Sequence, residues 1–457
     1  MKKLLIVSTF ILAVFIYIGT AFASDEVSYL VRFKPDVDAQ KVMATRSFNG
    51  MKLEALVPSM NLYKVTVTNS RMNALSILKM NESVKYAQED HPVKLREVVP
   101  NDPDFSKQWN LKNINGADIK ATEAWSLGTK GTNNDGKDVV VAVVDGTVEA
   151  THSDLKDNMW INSLEIPGNG IDDDGNGFVD DIHGWNAKTN SGNLGQGNSH
   201  GTHVAGIVSA KSDNGNHVAG VNWNVKIMSI NGASGSTSVV AKAYGYALAQ
   251  KKLFIETNGE KGANVVATNS SFGVDRANCT SGDFPVWNDL YEEMGKVGII
   301  SAAATANAAW DIDVIGDVPT GCESEYIFTV TNTTQEDKLY RSAGWGATTI
   351  DIGAPGTNIL STYTNNTVSS LTGTSMATPH IAGAVAFLHT VSSPQLADFV
   401  RSNPAEGGLL MKKILMETAD PISDLQGKTI SGGRLNLAAA AKKAYEYAGS
   451  EQKLTKK

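Results

Sequence analysis

The chain has 457 residues, 42% of them hydrophobic, with 42 glycines, 13 prolines and a formal net charge of −8. That length exceeds one ordinary domain, and the composition excludes collagen-like, fibrous and disordered classes. The acid excess lies in residues 99–457, which hold 27 basic and 39 acidic residues; it argues against nucleic acid as the partner and suits a soluble, cation-binding protein.

Lys2 and Lys3 precede an apolar run from Leu4 to Ile18 that ends in Ala21-Phe22-Ala23. A basic start, a short hydrophobic run and an A-x-A site predict a secretory signal over residues 1–23; the alternative is a retained N-terminal anchor, for which the run is short against a bilayer span of about 20 residues. The expected location is secreted, extracellular or periplasmic, with no membrane attachment after cleavage. Residues 24–98 predict a small α+β unit. Tyr29–Phe33, Tyr63–Val67 and Val84–Ala87 read as strands, and Ser70–Met80 as an amphipathic helix. Asn101-Asp102-Pro103-Asp104 is a turn-rich boundary.

Residues 99–446 alternate buried strands with helices. Val139–Val144 is wholly apolar and mostly β-branched, which suits a strand covered on both faces. Ala263–Ala267 and Gly298–Ile300 are similar, with helical stretches at His200–Ala210 and Val239–Gln250. The alternation predicts a doubly wound, mostly parallel α/β sheet whose functional residues collect at the C-terminal ends of strands. Residues 447–457 are a polar tail. Cys279 and Cys322 are the only cysteines. In an oxidising compartment they can pair, closing a loop worth on the order of 4 kcal/mol in the chain-entropy model, or stay as two thiols; spacing alone does not decide.

Three segments carry side chains fit for nucleophilic catalysis. Asp145 follows the Val139–Val144 strand. His200-Gly201-Thr202-His203-Val204-Ala205-Gly206 opens a small-residue helix. Gly373-Thr374-Ser375-Met376-Ala377-Thr378-Pro379 sets a serine at a turn entering another helix. A serine hydroxyl needs a base within hydrogen-bond reach, and an imidazole needs an acid on its other nitrogen to fix its tautomer. Singly, each has a structural reading: a helix cap, a core histidine, a turn.

Together these words resemble the subtilisin-like serine peptidases over residues 100–445, with Ala354-Pro355-Gly356-Thr357 as a further match. The order Asp, His, Ser is that of the family. The resemblance implies a secreted endopeptidase acting on protein or peptide substrates, with Ser375 as nucleophile, His200 as base and Asp145 as its orienting acid. Asn307, in Ser301-Ala302-Ala303-Ala304-Thr305-Ala306-Asn307, would donate to the oxyanion together with the Ser375 N–H. His203 is expected to be structural. Ser271-Phe272-Gly273 would pair with substrate and line the first specificity pocket. Ala304, Thr305 and Ala306 would form the opposite wall, which suggests an apolar or aromatic preference. Residues 24–98 resemble the family's inhibitory propeptide, a ferredoxin-like unit that would make the chain a self-processing zymogen cut between Val98 and Asn101. Two positions depart from the family pattern. Asp145-Gly146-Thr147 reverses the usual hydroxyl-then-glycine order, so any demand for positive φ would fall on Thr147. Ala306 stands where the family has glycine. These departures leave a second reading open, a catalytically impaired binding protein.

One further motif is acidic. Asp172, Asp174 and Asn176, then Gly177, the Phe178 carbonyl, Asp180 and Asp181 fit the first part of a calcium loop. The twelfth position is His183 and not glutamate. The alternative is a solvated acidic turn.

Overall fold

The computed structural model describes residues 26–68, 73–91 and 97–449. The predicted signal, part of the Ser70–Met80 helix and residues 450–457 lie outside these. The chain forms two compact units, residues 1–94 and 95–457. Val98 donates its N–H to the Thr122 carbonyl at 2.9 Å within the larger unit.

The small unit is a four-stranded antiparallel sheet. In sheet order its strands are Met51–Val57, Leu62–Thr68, Glu26–Phe33 and Val84–Glu89. Helices Ala39–Met43 and Ala74–Met80 complete a β-α-β-β-α-β order, the topology of a ferredoxin-like unit. Val31, Phe33, Val65 and Leu78 fill its core. Met51–Val57 is an edge strand with an exposed, weakly alternating pattern, which is why its sequence carried no strand signal.

The large unit is built on a nine-stranded sheet. In order its strands are Asp420–Pro421, Gly433–Arg434, Ile352–Pro355, Ile327–Thr333, Ile300–Ala304, Val265–Ser270, Val140–Asp145, Lys226–Asn231 and Gly184–Asn186. All neighbours run parallel except the first pair. The doubly wound α/β prediction therefore holds. Gly298 has φ +85°, so the turn out of helix Pro285–Lys296 uses it and the strand begins two residues later than expected. One apolar layer packs helices Ser199–Ser209 and Thr374–Val391 beneath the sheet. The other packs helices Thr237–Glu256 and Pro285–Lys296 above it. All 18 residues of Thr374–Val391 are buried. Among the described residues, no helix is long and apolar enough to cross a membrane.

Candidate active site

The sheet switches direction at Val140–Asp145. The chain continues to one neighbour through Lys226–Asn231 and to the other through Val265–Ser270. Such a switch point opens a crevice at the C-terminal strand ends, and Asp145 stands there, 2% exposed. His200 comes from the first turn of helix Ser199–Ser209. Asn198 caps that helix, its Oδ1 accepting from the His200 and Gly201 N–H groups at 2.9 and 3.1 Å. Both Asp145 carboxylate oxygens lie 2.9 Å from His200 Nδ1. A proton on Nδ1 is thereby fixed, which leaves Nε2 to act as base. Burial opposes the charged imidazolium, but the hydrogen bond to Asp145 and its negative charge outweigh that and hold the His200 pKa above its ordinary value. His203, one turn along, is fully buried. Its Nε2 meets the Ile359 and Ser369 carbonyls at 2.9 and 3.0 Å, and burial depresses its pKa to about 4.

Ser375 enters from the other side of the same strand edge. Register pairs Val144 with Ser270, so Ser271 follows beside Asp145 at a strand spacing of about 4.8 Å. Ser375 and Ser271 are doubly joined. The Ser375 hydroxyl donates to the Ser271 carbonyl at 3.4 Å, and the Ser271 hydroxyl donates to the Ser375 carbonyl at 3.0 Å. The second bond depends on Pro379. Proline has no N–H to give the carbonyl four residues earlier, so that carbonyl stays available. The Ser375 hydroxyl thus rests on Ser271, with no hydrogen bond to His200 in this conformation. The Asp145–His200 pair stands at the end of strand Val140–Asp145, and the Ser271–Ser375 pair just past the end of its neighbour Val265–Ser270.

Asn307 is anchored by its oxygen. The Thr374 N–H and hydroxyl donate to its Oδ1 at 3.0 and 3.1 Å, and the Thr374 hydroxyl also reaches the Thr305 carbonyl at 2.6 Å. Because an N–H must face an oxygen, these bonds fix the amide orientation and leave Nδ2 exposed beside Ser375. The two sequence departures are accommodated. Neither Gly146 nor Thr147 has positive φ. A Cβ at position 146 would lie 2.6 to 2.8 Å from the Asn198 side chain, the cap of the His200 helix, so glycine belongs directly after Asp145. The Thr147 hydroxyl donates to the Leu194 carbonyl at 2.5 Å and accepts from Asn231 Nδ2 at 3.0 Å. Ala306 packs its methyl with Ile312 and Ile350.

The cleft beside Ser375 is lined by Ser271–Gly273, Ala304–Asn307, Thr374, Asp275 and Asp317. Its two carboxylates arrive through a short antiparallel pairing of Asp317–Val318 with Val274–Asp275, which sequence reading missed. The Phe272 ring turns away toward Tyr244 and Trp287, leaving its backbone at the cleft. Cys279 and Cys322 form a disulfide with Cα atoms 4.9 Å apart, tying together the loops that follow these two strands.

In the acidic loop the structure sorts the predicted ligands. Asp172 and Asp174 converge with Glu165, a residue the sequence reading missed, with carboxylate oxygens within 4.8 Å of one another. Asn176 bridges Asp174 and Asp181 through its Nδ2, at 3.1 and 3.2 Å. The Phe178 ring packs on Trp185 and Tyr246. Asp180 faces elsewhere, its oxygens accepting the Gly168, Asn169 and Gly170 N–H groups. Asp181 is wholly buried beneath the loop, where Asn162, Tyr246 and Gln250 donate to it, and burial pushes its pKa up to about 7. These two are anchors of the loop, outside the converging group.

The subtilase family profile matches residues 136–446. Thermitase of Thermoactinomyces vulgaris is 28% identical over 355 residues, 76% of this chain and 99% of that protein. The cell wall-associated protease of Bacillus subtilis (strain 168) is 29% identical over 386 residues, 82% of this chain and 36% of that protein. The chain also spans 46% to 51% of the length of several Plasmodium subtilisin-like proteases. The solved structure of the epidermin leader peptide processing serine protease of Staphylococcus aureus shares the fold, with a TM-score of 0.55 at 19% identity over 93% of this chain and 100% of that one.

Proposed function

Since the chain belongs to the subtilase family, we propose that it is a serine endopeptidase whose catalytic groups are Asp145, His200 and Ser375. The observation that carries this reading is the Asp145 carboxylate seated on His200 Nδ1 at 2.9 Å, at the strand edge where Ser375 rests on Ser271. On substrate binding the Ser375 hydroxyl leaves the Ser271 carbonyl and turns to His200 Nε2. It gives its proton there as Oγ attacks the peptide carbonyl carbon. The negative charge develops on the carbonyl oxygen, where Asn307 Nδ2 and the Ser375 N–H donate to it. The Ser375 N–H lies in the first turn of its helix, where backbone donors lack intrahelical acceptors. His200 then passes its proton to the leaving amine, the C–N bond breaks, and water releases the acyl group from Ser375 by the same route in reverse. Substrate backbone would pair with Ser271–Gly273 as an added strand.

We further assign residues 24–98 as the chain's own inhibitory propeptide and residues 1–23 as its secretory signal. Glu165, Asp172 and Asp174 form an all-oxygen donor set that suits calcium, a hard cation whose charge would offset three crowded carboxylates and fix the 165–181 loop. Adding a millimolar excess of EDTA is expected to lower the melting temperature by several degrees, with recovery on adding calcium but not magnesium. An unchanged melting curve would remove calcium from this account.

The peptidase reading is tested by a fluorophosphonate probe. Wild-type protein freed of its propeptide is expected to be labelled on Ser375, identified by peptide mapping, and to lose proteolytic activity in step. Protein that cleaves casein unlabelled, or that takes up no label at all, would overturn the assignment of Ser375.

A further inference from the structure

The specificity pocket holds a charge that nothing in the catalytic steps uses. Asp317 is 1% exposed, at the base of the cleft beside Ser375. One of its oxygens accepts the Thr320 hydroxyl. The other, Oδ1, has no hydrogen-bond partner among the described residues and sits under Gly273, where a Cβ would lie 3.5 Å from it. Gly273 has no room for a side chain, since the Val318 carbonyl would be 2.6 Å away. The backbone that binds substrate therefore passes directly over this carboxylate. Asp275 stands exposed at the rim, paired in register with Asp317. The adjacent cation, Arg276, is committed to the Trp310 ring, 4.7 Å from its centroid. The disulfide Cys279–Cys322 ties the two loops that carry the carboxylates.

A carboxylate this deeply buried normally has a cation or several donors around it. Asp317 has one hydroxyl. Burial pushes its pKa up to about 6, the Thr320 bond opposes that, and Asp275 adds to it. A positive group entering the cleft would reverse the strain. The remaining walls, Ala304, Thr305 and Ala306, are small and uncharged. They can cover the methylene stem of a long side chain while its charged end reaches the base.

Resting on the peptidase reading above, we propose that Asp317, aided by Asp275, makes this a pocket for a basic side chain, so that the chain cleaves peptide bonds on the carboxyl side of arginine and lysine. A guanidinium can meet Asp317 Oδ1 and Asp275 from one plane, whereas an ammonium meets them as a point charge, so arginine is preferred over lysine.

Two measurements test this. The first compares kcat/KM for peptides that differ only in the residue before the scissile bond, on protein whose active fraction is counted with the fluorophosphonate probe. Arginine and lysine peptides are expected to exceed the phenylalanine peptide by at least about 10-fold, the scale of a hydrogen bond to a charged group. Asp317→Asn is expected to lower the ratio of kcat/KM for the basic peptides to that for the phenylalanine peptide about 10- to 100-fold, while Asp317→Glu restores part of the preference. The second needs no catalysis: p-aminobenzamidine fluorescence on the protein freed of its propeptide is expected to report binding that Asp317→Asn abolishes. The proposal is overturned by labelled enzyme that cleaves the phenylalanine peptide as well as the arginine one. It is equally overturned by Asp317→Asn depressing all peptides alike, or by no amidine binding. Failure of the probe to label Ser375 would sink the peptidase reading instead, and the amidine measurement would still decide the pocket.

Discussion

Ser375→Ala is expected to lower kcat for peptide hydrolysis by about 10⁶-fold, a figure carried over from subtilisin and not obtained from this geometry. The physical reason is that the remaining parts stay in place with nothing to attack the carbonyl. The Ser375 hydroxyl makes one 3.4 Å bond, to the Ser271 carbonyl, so its loss leaves the fold intact. The backbone link from the Ser271 hydroxyl to the Ser375 carbonyl persists. The variant should therefore melt within a degree or two of the wild type while hydrolysis vanishes. If the propeptide is removed by the chain itself, intact-mass measurement of the variant should find residues 24–98 still attached. A variant with ordinary turnover would remove Ser375 from the mechanism, and a fully processed inactive variant would assign maturation to another peptidase.

The second large effect is expected from Asp145→Asn. The substitution keeps the shape of the site, but its amide can offer an N–H toward Nδ1 and so favour the wrong imidazole tautomer. A loss of about 10⁴-fold in kcat is the scale known for the equivalent change in a serine protease triad. A pH profile separates this from simple misfolding. In the wild type His200 must be neutral to act as base, and Asp145 raises its pKa above the ordinary value of about 6.5. Activity is therefore lost as pH falls through a value above that. Without the Asp145 charge only the effect of burial remains, which lowers the pKa, so the residual activity of the variant should persist to lower pH than that of the wild type. The stability contribution runs the other way. A raised imidazole pKa stabilises the fold below the unfolded-state value and loses that contribution as pH rises through the folded-state value. An unshifted acid limb in the variant would mean that Asp145 does not set the basicity of His200.

Much of this site was legible before any coordinates, because its parts are local. An all-apolar strand ending in aspartate, a capped helix start and a glycine-preceded turn are each written in a few consecutive residues. The doubly wound, mostly parallel class of the sheet followed from the alternation of elements. What escaped was long-range. Glu165 joins Asp172 and Asp174 only through the folding of an irregular loop, and nothing in Ser163-Leu164-Glu165-Ile166 distinguishes it from a surface glutamate. Asp180 and Asp181 have the right chemistry for ligands, but the left-handed φ of 56° at Asp180 and the burial of Asp181 under Tyr246 send both elsewhere. Asp317 sits in a Gly-Asp-Val-Pro turn that reads as a connection. It reaches the substrate cleft by a two-residue pairing with a segment more than 40 positions earlier. The reversal at Gly146-Thr147 looked like damage because the close approach of Asn198 that demands glycine there comes from a residue 52 positions downstream.

The helix that begins at Thr374 has no face open to water. Its neighbours include Val204 and Val208 from the middle of the large unit, and Leu437, Ala440 and Ala441 from its C-terminal helix. A serine carried on such an element cannot be positioned until helix Leu437–Tyr445, made later, has emerged, since that helix is among those that enclose it. Contacts of such long sequence separation also form slowly. The consequence is temporal. Cutting power would switch on only after helix Leu437–Tyr445 has packed, so that a copy lacking that helix could not digest its neighbours.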